Sequence, residues 1–435
     1  MTSTAAHALH DAPAGSRSDA GSTDLLQARY RKVRARTAAL AEPLSPEDAM
    51  VQSMDDTSPA KWHLAHTTWF FEHFVLGRDP GYRPINPDWH YLFNSYYQSV
   101  GPMHARPRRG LLSRPGLEEV RLYREEVDAC IARAFAAGDI DEAGQQAVLL
   151  GTHHEQQHQE LLLTDIKHAL WCNPLRPPYR GDLAHDPGGA AATPLAWQAF
   201  DERVVELGHA PWPGEAGFAY DNESPRHRVL VPAHALASRP VSNAEFRAFI
   251  EDGGYRNVAL WMSEGWARLQ AEGWSRPLYW EPDLEHAYTL GGMRPIEAHA
   301  PVCHLSYFEA DAFARWAGAR VPTEAEWERA ALHLPVRGHF ADDDRFHPRA
   351  AAAESPQLFG DVWEWTSTAY GPYPGFRPLP GSLGEYNGKF MCGQWVLRGG
   401  SCATPRDHVR ASYRNFFYPP DRWQFSGLRL AKDAP

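Results

Sequence analysis

The chain has few cysteines, no excess of positive charge and no long apolar runs, and each shortage removes a class of answers. Its 435 residues include only five cysteines, Cys130, Cys172, Cys303, Cys392 and Cys402, with no CxxC pair. An odd, scattered set of thiols excludes a disulfide framework and fits a reducing compartment, so a cytoplasmic protein is expected. No apolar run approaches the ~20 residues of a membrane helix. Residues 1–22, rich in Ala, Ser, Gly, Asp and Thr, lack the apolar stretch of a secretory signal and read as a disordered terminus. A net charge of −11 argues against phosphate-backbone binding, and pairs such as Arg108 and Arg109 form no basic stripe.

What the chain does have is tryptophan and proline, 16 and 36 residues, on a hydrophobic content of 43%. That mix is soluble and globular, with at least one part loop-rich and packed on aromatics. A length of 435 residues exceeds one ordinary core and favours two domains. Residues 23–41 carry apolar and basic positions at helical period and predict a first helix, stopped by Pro43 and Pro46. Ser58-Pro59 opens a second, running through His63, His66 and His73 toward Gly77. The connector over 78–115 is dense in Pro, Gly and Tyr and reads as an ordered, functional loop. Further helices are expected over 117–137 and 141–171, which makes a bundle with one long crossover, able to hold a metal.

The fourth helix contains GTHHEQQHQE, residues 151–160. His154 and His158 stand one turn apart on one face, with Cβ atoms ~5–6 Å apart, so both imidazoles can close on one ion. The same letters spell HExxH, the zinc-peptidase string, with Glu155 as general base. From 172 to 194 the composition turns to Pro, Gly and Ala, and a linker is expected over 176–200, between domains at 23–175 and 201–435. Beyond it, strands are predicted over 204–207 and 228–231. Capping boxes at Ser242/Glu245, Ser306/Glu309 and Thr323/Glu326 predict three short helices, the second ended by Gly318. Residues 358–435 are Trp- and Gly-rich with little regular period, as in a fold held by buried aromatics and loop hydrogen bonds.

The strings WHLAHTTWFFEHF, HHEQQHQE, VPTEAEWERAA, GDVWEWTS, LRGGS, RNFFYPPDR and FSGLRLA together resemble the ergothioneine-biosynthesis sulfoxide synthases, across nearly everything after residue 22. The resemblance implies an α+β protein. A DinB-like four-helix bundle would precede a domain of the formylglycine-generating (sulfatase-modifying-factor) fold, a C-type-lectin-like architecture. It implies a mononuclear non-haem Fe(II) held by His66, His154 and His158, neutral imidazoles that leave open positions on the ion. The implied reaction joins the imidazole of hercynine, trimethylated histidine, to a thiol, cysteine favoured over γ-glutamylcysteine. Bond formation removes two electrons and oxidation to the sulfoxide two more, the four that O2 accepts. The partners are small molecules, with no nucleic acid and no membrane.

The resemblance also implies roles around the metal. An acid must supply a proton during oxygen reduction. One branch of the family keeps a tyrosine in the loop before LRGGS, where this chain has Leu383, with Tyr386 as that loop's neighbouring tyrosine. Another branch uses adjacent tyrosines in the bundle connector, and Tyr96 and Tyr97 stand there. Gln157 matches a residue that hydrogen-bonds hercynine's imidazole, and Asn415 a substrate-binding Asn. Phe416 and Phe417 offer ring faces to a quaternary ammonium. Arg106 and Arg109 fit a pair that contacts the thiol substrate, whose carboxylate an Arg can grip. His63, His73 and His153 read as core histidines.

Other readings use the same residues. The zinc peptidase wants its third ligand downstream, whereas His66 lies upstream. A formylglycine-generating oxidase would use Cys392 and Cys402, ten residues apart, and leave the bundle unemployed. A binding-only protein would use the second domain for recognition and the bundle as scaffold. Relatives that join selenium to hercynine, or sulfur to another carbon of histidine, would keep the triad.

Overall fold

The computed structural model describes residues 16–185, 193–351, 356–385 and 387–434. Helix α1 (Ser16–Ala41) begins earlier than its period predicts. With no proline between Pro13 and Ala41, a helix nucleated downstream extends backward at little cost. Residues 16–22, expected to be disordered, are therefore helical, and residues 1–15 lie outside the described residues.

Helix α2 (Ala60–Phe74) follows Pro59, and every residue from 60 to 72 is buried. A helix buried all round is the centre of its bundle. The connector is ordered, with a short helix α3 (Trp89–Phe93) and a 3-10 turn at Arg106–Leu111. Helices α4 (Leu117–Ala137) and α5 (Glu142–Cys172) complete the bundle, and the Asp141 carboxylate caps α5 by accepting the Gly144 N–H at 2.7 Å. Gly151 lets α2 and α5 close on each other, since a Cβ there would sit 2.5 Å from the Phe71 ring.

The expected linker is shorter than 176–200. Residues Trp197–Phe200 form a mostly exposed edge strand that pairs antiparallel with His234–Ala237. Near the linker's start, the Tyr179 hydroxyl donates to Leu40 O at 2.6 Å and pins it to the bundle. The two predicted strands form, over Arg203–Leu207 and His227–Val231, and they pair antiparallel. The three capping boxes open α6 (Asn243–Glu251), α8 (Tyr307–Trp316) and α9 (Glu324–Ala331), and Gly318 after α8 has φ +61°. Helix α7 (Ser263–Glu272) was not anticipated, and its N-cap, Met262, makes no side-chain cap bond that could have signalled it.

Regular structure also appears where little was expected. Asn415–Phe417, Trp395–Arg398, Trp363–Ala369 and Ser426–Gly427 lie in that order in a four-stranded sheet. These strands are short, and in the longest the polar residues that alternate with Trp363 and Trp365, Glu364 and Thr366, are buried as well. The signature strings are the ion-pair frame of this α+β half. The Glu364 carboxylate accepts Trp327 Nε1 at 2.8 Å and Arg429 Nη2 at 2.7 Å, Arg414 pairs with Glu324 at 3.0 Å, and Arg398 pairs with Glu328. On α5, Glu160 joins the halves by accepting Trp363 Nε1 at 2.7 Å, Ser401 Oγ at 2.6 Å and Thr404 Oγ1 at 2.9 Å.

Candidate metal centre

Helix α2 supplies His66 and α5 supplies His154 and His158, and the close α2–α5 approach brings all three rings together. The Nε2 atoms of His66 and His154 are 3.3 Å apart, and those of His154 and His158 are 3.1 Å apart. Among the described residues, this is the one cluster of His, Cys, Asp and Glu with metal-ligand geometry. The three residues are 1%, 2% and 5% exposed, which decides their charge. Burial, reinforced by the neighbouring histidines, holds His66 and His158 well below the ordinary imidazole range, and burial brings His154 down to about 3.

The rings behind these nitrogens are anchored. His66 Nδ1 lies 2.6 Å from Phe93 O, an acceptor only, so His66 keeps its proton there and turns a lone pair inward. Neutral nitrogen donors converging in a buried site fit a borderline divalent cation. Glu155 does not join them. It is buried between Arg34, at 3.1 Å, and Arg124. Burial alone would raise its pKa, but Arg124 and Arg34 bring it to about 2. A carboxylate held by two guanidiniums cannot serve as the peptidase base. Cys392 is exposed and Cys402 buried, with burial pushing the Cys402 thiol well up, so no reactive thiol pair forms.

A cavity of about 320 Å³ lies where α5 meets the sheet half. It gathers Tyr96, Arg106, Gln157, Asn415, Phe416 and Phe417, six of the residues predicted for the site. Gln157 Nε2 donates to the Tyr413 hydroxyl at 2.8 Å, and Phe416 stacks on Tyr370 with centroids 4.1 Å apart. Tyr96 has φ +69°, a strained backbone for a non-glycine residue. Tyr97 points elsewhere, into a small cavity with His154 and Leu383. The two tyrosines are thus divided between adjoining spaces. Tyr386 lies outside the described residues.

Arg109, expected to contact the thiol, is not among the residues lining this cavity. Its guanidinium is buried and donates to Ser58 Oγ at 2.9 Å and Ser95 Oγ at 2.8 Å. It also lies 3.4 Å over the Trp62 ring, which stacks on His66 at 4.6 Å, so Arg109 braces a ligand from behind. His73 stacks on Trp69, and His153 stacks on Phe218 beside His408, as core histidines do. His63 is buried too, but its partner is His158, at 2.8 Å between Nδ1 atoms. The other lining residues were missed, among them the carboxylates of Asp56 and Asp421. Asp421, pushed up to about 7 by burial, sits in the quoted RNFFYPPDR string, whereas Asp56 lies in a polar turn that carries no signal.

Comparison with known proteins follows the same division. Residues 29–162 match the DinB superfamily, and residues 201–355 and 349–434 match the sulfatase-modifying factor enzyme 1-like domain. The class is therefore a DinB-type bundle carrying three converging histidines, joined to a sulfatase-modifying-factor domain. The hercynine oxygenase of Mycolicibacterium thermoresistibile is 35% identical over 416 residues, covering 87% of this chain and 88% of that protein. That of Mycobacterium tuberculosis is 32% identical over 439 residues, covering 95% and 99%. The chain belongs to the hercynine oxygenase family. A formylglycine-generating enzyme of M. tuberculosis is 30% identical over 213 residues, covering only 37% of this chain and 71% of that protein. Among the described residues, no helix is long and apolar enough to cross a membrane.

Proposed function

We propose that this protein is an oxygen-dependent sulfoxide synthase that joins hercynine to a thiol, with iron(II) held by His66, His154 and His158. The observation that carries the reading is the meeting of three neutral Nε2 atoms, with Gln157, next to His158 on α5, reaching a cavity walled by aromatic rings and an arginine. Iron(II) bound there supplies the redox site where thiolate and O2 react. Gln157, one residue before a ligand, orients the imidazole of hercynine. Phe416 and Phe417 face its trimethylammonium, a cation that has no proton to donate. Arg106 pairs with the carboxylate of the thiol.

Tyr96, on the wall of the cavity, is placed to hand a proton to oxygen, and Tyr97 backs the space beside His154. The balance needs no reductase. The imidazole C–H and the S–H are lost, a C–S bond forms, one oxygen atom ends on sulfur and the other leaves as water. The adjacent tyrosines of the connector, Tyr96 and Tyr97, favour cysteine over γ-glutamylcysteine. Five free cysteines fit a reducing cytoplasm, where such thiols are found. The test is anaerobic loading with iron(II), then O2 uptake and product mass spectrometry with hercynine and both thiols in competition. The expected result is O2 uptake that needs hercynine and thiol together, with the cysteine adduct dominant. Uptake indifferent to hercynine would reject the reading.

A further inference from the structure

The groups behind the ligand rings decide where each ring keeps its proton, and the two outer partners differ. A backbone carbonyl backs His66, whereas a second imidazole backs His158. His63 Nδ1 is 2.8 Å from His158 Nδ1, and His63 Nε2 is 3.0 Å from Asp165 Oδ2. The same Asp165 oxygen accepts the Ser58 N–H at 2.8 Å. His63 and Asp165 are 2% and 5% exposed, so no bulk water competes for these bonds. His158 and Asp165 lie on α5, two turns apart, and His63 lies on α2, so the chain spans the same helix pair that assembles the triad.

With His63 neutral, only one polarity satisfies every bond. A carboxylate accepts, so His63 carries its proton on Nε2 and has a lone pair at Nδ1. That lone pair requires the proton of His158 on Nδ1, which leaves His158 Nε2 bare and facing His66 and His154. We propose that Asp165 and His63 are positioning residues that lock His158 in its metal-ligating tautomer and raise the affinity of the triad for a divalent cation. The inference rests on the triad being the metal site. It makes the donors unequal, because a carboxylate-backed imidazole is more basic than one backed by a neutral carbonyl.

The test titrates the metal-free protein, without substrates, with iron(II) against a chelator and with cobalt(II), whose ligand-field absorption reports the donor set. His63→Leu is expected to weaken binding by ~10–100-fold. His63→Gln keeps an acceptor toward His158 and a donor toward Asp165 and is expected to recover affinity to within about threefold of the wild type. Asp165→Asn keeps the oxygen that serves Ser58 and His63 and removes only charge, so a loss of several-fold with a shifted cobalt spectrum is expected. His286→Gln, half-exposed in the sheet half with its ring 2.8 Å from Asp283, serves as the unchanged control. His63→Leu binding as tightly as wild type, or His63→Gln no tighter than His63→Leu, would overturn the inference. Should His63→Leu fail to fold, Asp165→Asn decides, and wild-type affinity and spectrum in that variant also overturn it. A wild type that takes up neither ion overturns the metal centre itself, a result distinct from equal binding across the variants.

Discussion

The two faces of α5 treat charge in opposite ways. One carries His154 and His158, which burial keeps neutral with their lone pairs turned inward. One residue along, rotated by about 100°, Glu155 is an ionised carboxylate between Arg34 and Arg124 that ties α1 and α4 to α5. Neutral donors make an ion site, while the paired charges next to them make a scaffold. The HExxH spelling merges the two, and the folded helix keeps them apart.

The comparison can be broken most severely at its neutral face. His154→Ala should cost more than the ~100-fold in metal affinity that losing an outer partner costs, with little change in melting temperature, read by metal titration and calorimetry. The charged face should respond in the opposite sense. Glu155→Gln leaves two buried guanidiniums short of a countercharge and should cost about 3 kcal/mol of stability. In denaturant melts the loss appears directly, and the metal affinity of the folded fraction should stay near wild type. A peptidase base would give the reverse pattern.

Smaller effects sharpen the contrast. Lys167, also on α5, is buried, and burial lowers its pKa from 10.5 to about 8. Between those values the unfolded chain holds more protons than the folded one, so stability should rise with pH from about 8 toward 10.5. Lys167→Met should flatten that rise in urea melts at pH 8 and 10. Least of all, Arg106→Ala should raise the thiol KM by about tenfold. Arg109→Lys should leave that KM alone, because Arg109 serves His66 through Trp62.

Much of this was readable before folding because it was local. The i, i+4 spacing of His154 and His158 and the three capping boxes depend on neighbours along the chain, and each appears where the pattern puts it. What was hidden depends on packing between segments. Arg106 and Arg109 look alike in sequence, but the second is held behind the cavity wall by the hydroxyls of Ser58, Ser95 and Tyr96. Tyr96 and Tyr97 separate because of one left-handed backbone angle. The sheet through Trp363 was missed because its strands are short, and the alternation in Trp363-Glu364-Trp365-Thr366 is too brief to stand out from the surrounding loops.

Glu160 has a consequence for how the two halves depend on each other. Three donors from the C-terminal half meet on that one carboxylate, two residues past His158 of the triad and on the wall of the cavity that gathers Gln157 and Phe416. Any slippage between the halves is therefore transmitted to His158 through less than a single helical turn. Seating of the roof and geometry at the ion are one mechanical property observed from two ends.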